Sequence, residues 1–257
     1  MVRLVHDESF GSDKRQKLDV YAPQGQRRLA LPIIIFFYGG SWNSGTRNGY
    51  SFVGRALASC GFVVAIPDYR LVPAVRYPAF LQDNAAAVHW VRQHGAQWGG
   101  DPDRIVLAGH SAGAYNAAML ALDPRWLGAD RGAIKGLIGL AGPYDFLPFS
   151  GPIVEPTFAG VTDPVSTQPV HYARRDAPPA FLATADKDRL VEPRNSDALA
   201  RALGRQGVVV ERKSYAHVGH IGLVTAIAIP LRGHASVLED MVTFAHKVTG
   251  YDKQVAP

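Results

Sequence analysis

One pentapeptide constrains this chain more than any other feature: Gly109-His110-Ser111-Ala112-Gly113. It stands between an unbroken apolar run at residues 105–108 and an alanine-rich stretch at residues 112–122. A short apolar run without polar alternation reads as a strand covered on both faces, and the stretch after it reads as a helix. A strand that becomes a helix across one residue needs a sharp backbone reversal. Glycines two places before and two places after the serine leave the two elements room to pack. The serine hydroxyl is then presented at a strand end beside the first N–H groups of a helix, where negative charge is stabilised. Ser111 is therefore the candidate nucleophile, and the N–H of Ala112 a candidate donor to a developing oxyanion. His110, beside the nucleophile but directed away from it, reads as structural.

The rest of the chain supplies the sheet that such a turn requires. Apolar runs at residues 32–37, 62–66, 137–140 and 180–185 read as buried strands. Residues 208–214 read as a further strand, and residues 17–21, which alternate, as an edge strand. Between them lie helical patterns at 52–60, 80–98, 195–205 and 235–248. Strands alternating with helices give an α/β fold with a mostly parallel central sheet and helices on both faces. Six prolines between 143 and 169 interrupt the pattern, so residues 144–179 read as a small irregular lid within a single domain spanning 1–257. Active sites of such sheets lie at the carboxyl ends of the strands.

Composition narrows the function classes. With 47% hydrophobic and 19% charged residues the chain can bury a large core. The net charge of +5 comes from scattered lysines and arginines, with no basic stripe of the kind nucleic acid requires. Cys60 is alone, which excludes an internal disulfide and a cysteine-based metal site; no histidine pair with a nearby carboxylate suggests a metal either. The first residues lack the apolar run of a secretion signal, and the longest apolar stretch, 29–38, is too short to span a membrane. The expectation is a cytoplasmic protein with neither membrane nor nucleic acid as partner. A homo-oligomer formed through the 17–21 strand or the terminal helix is compatible with the sequence.

A serine nucleophile needs a base and an acid, here in the chain order serine, acid, histidine. His171, His217, His220, His234 and His246 follow Ser111. His217 and His220 lie in the loop after the 208–214 strand, where a base belongs. The loop after the 180–185 strand offers Asp186, Asp188 and Glu192 as acids. Tyr38-Gly39-Gly40-Ser41-Trp42 follows the 32–37 strand, and its glycines let backbone N–H groups approach a substrate. Trp42 and Tyr115 either wall the pocket or pack in the core. Asp68, Tyr69, Arg70, Asp83, Asn84 and Asp145 read as scaffold.

The pairing of this glycine loop with the Gly-His-Ser-Ala-Gly turn, and Asp68-Tyr69-Arg70-Leu71 between them, resembles the esterase branch of the α/β hydrolases related to hormone-sensitive lipase. The neighbouring carboxylesterase and arylformamidase-like group is similar too. The resemblance covers residues 17–248. It implies oxyanion donors from Gly40 and Ser41 with Ala112. It also implies His220 as base, from its Gly-His-x-x-Leu setting, and Asp188 as acid, from its spacing to Val191 and Pro193. Tyr38 stands where that family usually has histidine, so the bracing role of that side chain passes to Tyr38 or is lost. The implied activity is hydrolysis of short-chain carboxylic esters through an acyl-enzyme, with a small-molecule ester as partner and no cofactor. The alternatives are an arylformamidase with Trp42 and Tyr115 as an aromatic clamp, and a non-catalytic ligand-binding protein on the same fold.

Overall fold

The computed structural model describes residues 1–25 and 30–251. In chain order the elements are β1 (Val2–Ser9), β2 (Lys17–Pro23), β3 (Leu31–Phe37), α1 (Ser51–Ser59), β4 (Val63–Pro67), α2 (Ala79–His94), β5 (Gly100–His110) and α3 (Ala112–Leu122). They continue as α4 (Pro124–Leu127), β6 (Ile134–Leu140), α5 (Val154–Thr157), β7 (Ala180–Ala185), α6 (Arg194–Arg205), β8 (Val210–Tyr215), α7 (His220–Thr225) and α8 (Val237–Thr249). The apolar run read at 29–38 begins at Leu29, outside the described residues, and continues as β3.

The eight strands form one sheet in the order β1-β2-β4-β3-β5-β6-β7-β8. β1 and β2 pair antiparallel with each other, as do β2 and β4, and every pair from β4 to β8 is parallel. The expected α/β-hydrolase fold is present. Period two along β3 divides the core. Ile34 and Phe36 pack with Val53 and Leu57 of α1 and Met241 and Phe244 of α8. Ile33, Ile35 and Phe37 join Val88 of α2, Ala117 of α3 and Leu203 of α6 on the other face. Both faces are covered, which is why these strands carry no polar alternation.

The edge expected at 17–21 lies elsewhere. β1 is the edge strand, and β2 is held between β1 and β4. The alternation that suggested exposure comes from Asp19, which is wholly buried. Arg47 bonds its carboxylate at 3.0 Å and also reaches Asp7 of β1 and Asp68 beyond β4. One guanidinium thus joins the edge of the sheet to the loops at its carboxyl end. As expected of the scaffold residues, Arg70 pairs with Asp83 at 2.7 Å.

β3 lies between β4 and β5, so the chain runs outward to β4 and returns across β3 to β5. The order reverses there, which opens a crevice outside the carboxyl ends of β3 and β5. The Tyr38–Trp42 loop and the Ser111 turn leave from those two ends. Among the described residues, no helix is long and apolar enough to cross a membrane.

Candidate active site

Ser111 joins β5 to α3 at φ 55° and ψ −123°, a backbone state that L-residues seldom adopt. Its surroundings hold it there. Its N–H donates to the Leu140 carbonyl at 2.8 Å, and its own carbonyl accepts from Ala114 and Tyr115. The flanking glycines are required by space. A Cβ on Gly113 would lie 2.0 Å from the Phe37 carbonyl oxygen, and one on Gly109 would lie 2.3 Å from that of Gly113. The strand–turn–helix contact is therefore backbone against backbone.

The loop after β3 winds through three successive positive φ values, 131° at Gly40, 50° at Ser41 and 60° at Trp42. The Gly40 carbonyl turns back to accept from Asn43 and Ser44, and among the described residues no hydrogen bond engages the N–H of Gly40 or Ser41. Ala112 is the first residue of α3, so its N–H has no partner within the helix. Tyr38 does not face the crevice. It is wholly buried and stacked on Tyr69 at 4.8 Å; its hydroxyl accepts from Arg15 at 2.7 Å, and its carbonyl accepts from the Tyr69 hydroxyl. Burial, reinforced by the Asp68 carboxylate, pushes the Tyr38 phenol well above its ordinary pKa, so it stays a neutral brace.

Asp188 and His220, 32 residues apart in sequence, meet at 2.7 Å between carboxylate Oδ2 and imidazole Nδ1. The other oxygen, Oδ1, accepts from the N–H groups of Leu190 and Val191, both at 2.9 Å. Both carboxylate oxygens are thus engaged. Held as an acceptor, the carboxylate fixes the proton of a neutral His220 on Nδ1 and leaves Nε2 bare. Asp186 and His217, the other candidates, are exposed. His110 is buried with its Nε2 3.1 Å from the His220 carbonyl and its Nδ1 3.0 Å from the Tyr50 hydroxyl. Burial and the neighbouring His220 push its pKa down to about 3.

One cavity of about 700 Å³ gathers Gly40, Ser41, Trp42, Ser111, Ala112 and His220. Phe146, Leu147, Ile153 and Val154, from the irregular segment after β6, give it an apolar wall. Leu190 and Ile221 stand at its edge, 75% and 58% exposed. Trp42 presents its ring to the cavity while its indole N–H donates to Asn116 at 3.1 Å. Tyr115 does not line the cavity. It lies behind Trp42, edge-on at 5.2 Å, fully buried, with its hydroxyl bonded to the Thr167 carbonyl. α3 is buried on every side, so a side chain one turn past Ser111 points into protein. The aromatic partner of Trp42 at the cavity wall is instead Phe146, with ring centroids 6.3 Å apart. No sequence signal marked Phe146 or Tyr50, because both reach the cavity from segments without periodicity. Among the described residues, no group of three or more His, Cys, Asp or Glu side chains is placed to hold a metal ion.

A hydroxyl on a strained turn, an imidazole held by a carboxylate, and free N–H donors facing one cavity are the groups that acyl transfer uses. Comparison with known proteins agrees in kind. The family model described as BD-FAE matches residues 18–203. The chain is 30% identical to "Esterase LipC" of Mycobacterium tuberculosis, over 74% of this chain and 53% of that protein. It is 28% identical to the "Probable isoprenylcysteine alpha-carbonyl methylesterase ICMEL1" of Oryza sativa subsp. japonica, over 92% of this chain and 61% of that protein. The chain thus spans only a little over half the length of these two relatives. In architecture it is similar to the crystal structure of Esterase B from Lactobacillus rhamnosis, with a TM-score of 0.84, 22% identity, and 98% and 88% of the two chains covered.

Proposed function

Since the chain belongs to the BD-FAE family, we propose that it hydrolyses short-chain carboxylic esters through an acyl-enzyme formed on Ser111. The observation that carries this reading is the buried Asp188–His220 hydrogen bond, whose imidazole lines the same cavity as Ser111. The esterase names of its relatives support it.

In this mechanism Ser111 Oγ bonds to the ester carbonyl carbon while His220 Nε2 takes the hydroxyl proton. The carbonyl electron pair moves to oxygen, which receives N–H donation from Gly40, Ser41 and Ala112. Collapse breaks the bond to the alcohol oxygen, and Nε2 returns the proton to it. Water then attacks the acyl carbon while the same nitrogen takes its proton; collapse breaks the bond to Ser111 Oγ, Nε2 returns the proton to that oxygen, and the acid leaves. Asp188 keeps the imidazole in the tautomer that can accept from serine, and stabilises the imidazolium between the two transfers. Every proton and charge in this sequence is handled by groups of the chain itself. The compact wall formed by Trp42 and Phe146 favours short acyl groups. A cytoplasmic setting belongs to the same proposal.

The test is hydrolysis of p-nitrophenyl esters from acetate to dodecanoate. Wild type should turn over acetate and butyrate best. Ser111→Ala should lower kcat by about 10⁴-fold or more, and Asp188→Asn by about 10³- to 10⁴-fold. His217→Ala should retain activity where His220→Ala loses it. Failure of wild type to cleave any ester would overturn the proposal.

A further inference from the structure

We propose that His110 and Tyr50 act as a positioning pair that holds the backbone of His220 and the Gly39–Ser41 loop in one register. This rests on the ester-hydrolase reading above. Three contacts carry it. The Gly39 N–H meets the Tyr50 hydroxyl at 3.2 Å, that hydroxyl meets His110 Nδ1 at 3.0 Å, and His110 Nε2 meets the His220 carbonyl at 3.1 Å.

The two ends of this chain fix every proton in it. A peptide N–H only donates, so the Tyr50 oxygen accepts from Gly39. A carbonyl oxygen only accepts, so His110 Nε2 carries a proton. His110 is wholly buried, with its pKa pushed down to about 3, so the ring holds one proton and Nδ1 is bare. Tyr50 must then donate to Nδ1. The opposite tautomer would set the Nε2 lone pair against the carbonyl lone pairs of His220. One hydrogen-bond arrangement satisfies all four groups.

This arrangement connects segments that sequence keeps far apart: the loop after β3, the last residue of β5, and the first residue of α7. Asp188 holds the His220 side chain, and His110 holds its main chain; the two imidazole rings lie 4.8 Å apart. At the other end the fit is close enough that a Cβ on Gly39 would come within 2.9 Å of His110 Nδ1. Tyr50 lines the cavity with its ring, but its hydroxyl is engaged inward. Proton acceptance by His220 and oxyanion donation at Gly40 and Ser41 must act on the same substrate carbonyl. A link between their two backbones sets the distance over which they cooperate, and small misplacements there are costly.

Tyr50→Phe removes the hydroxyl and keeps the ring among Phe36, Tyr38 and Phe52. Two measurements are made on wild type and this variant: kcat and KM for p-nitrophenyl butyrate, and the ring ¹⁵N resonances of His110. Wild-type His110 should show the Nε2–H tautomer throughout about pH 5 to 8. In Tyr50→Phe the Nδ1 resonance should move to that of a nitrogen without a hydrogen bond. In the same variant kcat should fall about 10- to 100-fold while KM stays within about twofold. An unchanged kcat, a change confined to KM, or a proton on Nδ1 in wild type would each overturn the proposal. Absence of ester turnover in wild type would instead overturn the functional reading on which it rests.

Discussion

Acid should destabilise this protein through His110, by an amount that its environment sets. In the folded chain its pKa falls from the ordinary 6.5 to about 3, mainly because burial strips the imidazolium of water. His220 alongside adds to the shift, and the Asp188 carboxylate opposes it without cancelling it. Because the folded value is the lower one, the unfolded chain binds a proton that the folded chain refuses. The contribution to stability is whole above about pH 6.5 and drains away as pH falls toward 3. The slope is about 1.4 kcal/mol per pH unit, so near pH 4.5 the loss amounts to about 2 to 3 kcal/mol. His110 is 1% exposed, so solvent screening does not reduce this figure appreciably. Urea unfolding of wild type and His110→Gln at about pH 7 and pH 4.5 isolates the effect. Glutamine does not titrate, and the carboxylates elsewhere respond to acid equally in both proteins. The variant should be the weaker protein at neutral pH, yet lose about 2 to 3 kcal/mol less on acidification. Parallel losses in the two proteins would refute the assignment of His110 as a buried neutral imidazole.

Two further outcomes follow from the packing around the site. Gly113→Ala should destabilise the fold by about 3 kcal/mol or more and abolish turnover, since its Cβ would meet the Phe37 carbonyl at 2.0 Å; Gly132→Ala, with open space around it, should change the urea midpoint little. Arg47→Met should cost about 3 to 5 kcal/mol in the same unfolding assay, because it strips the shared guanidinium from the buried carboxylates of Asp19 and Asp68 and leaves Asp68 only the more distant Arg15, at 3.7 Å.

The parts of this fold legible in the sequence are those whose burial is complete. β3, residues 105–108 of β5 and, but for Thr184, β7 are apolar because helices cover both faces, and the Ser111 turn is marked by two glycines that steric contact demands. β1 was not legible. Its outer half, His6-Asp7-Glu8, is polar, and it stays in the sheet through pairing with β2. β2 misled for a different reason: Asp19 gives it the alternation of a half-exposed strand, while Arg47, 28 residues away, covers that carboxylate. Burial of a charge depends on where its partner sits, and sequence spacing does not reveal that. The same holds for Tyr115. Its place one turn past the nucleophile suggested a cavity wall, but a helix buried on all sides presents no such face.

The division of labour within the site follows from the same distinction. Ser111, the Gly40–Ser41 loop, Asp188 and His220 leave from the ends of β5, β3, β7 and β8, strands fixed by their neighbours in the sheet. Their relative positions are set by the part of the molecule least able to change, and the strain at Ser111 is borne there. Phe146, Leu147, Ile153 and Val154, which shape the space for substrate, come from the irregular segment between β6 and β7. That segment is tied down by different contacts: Asn195 accepts from the N–H groups of Tyr144 and Asp145, and Gln168 accepts from that of Phe146. On the proposed mechanism, this part of the substrate wall thus rests on different supports from the catalytic groups, while Trp42 shares the loop of Gly40 and Ser41. If the proposed mechanism holds, the wall from residues 146–154 can be reshaped without moving the groups that exchange protons, a physical route by which one such fold serves many substrates.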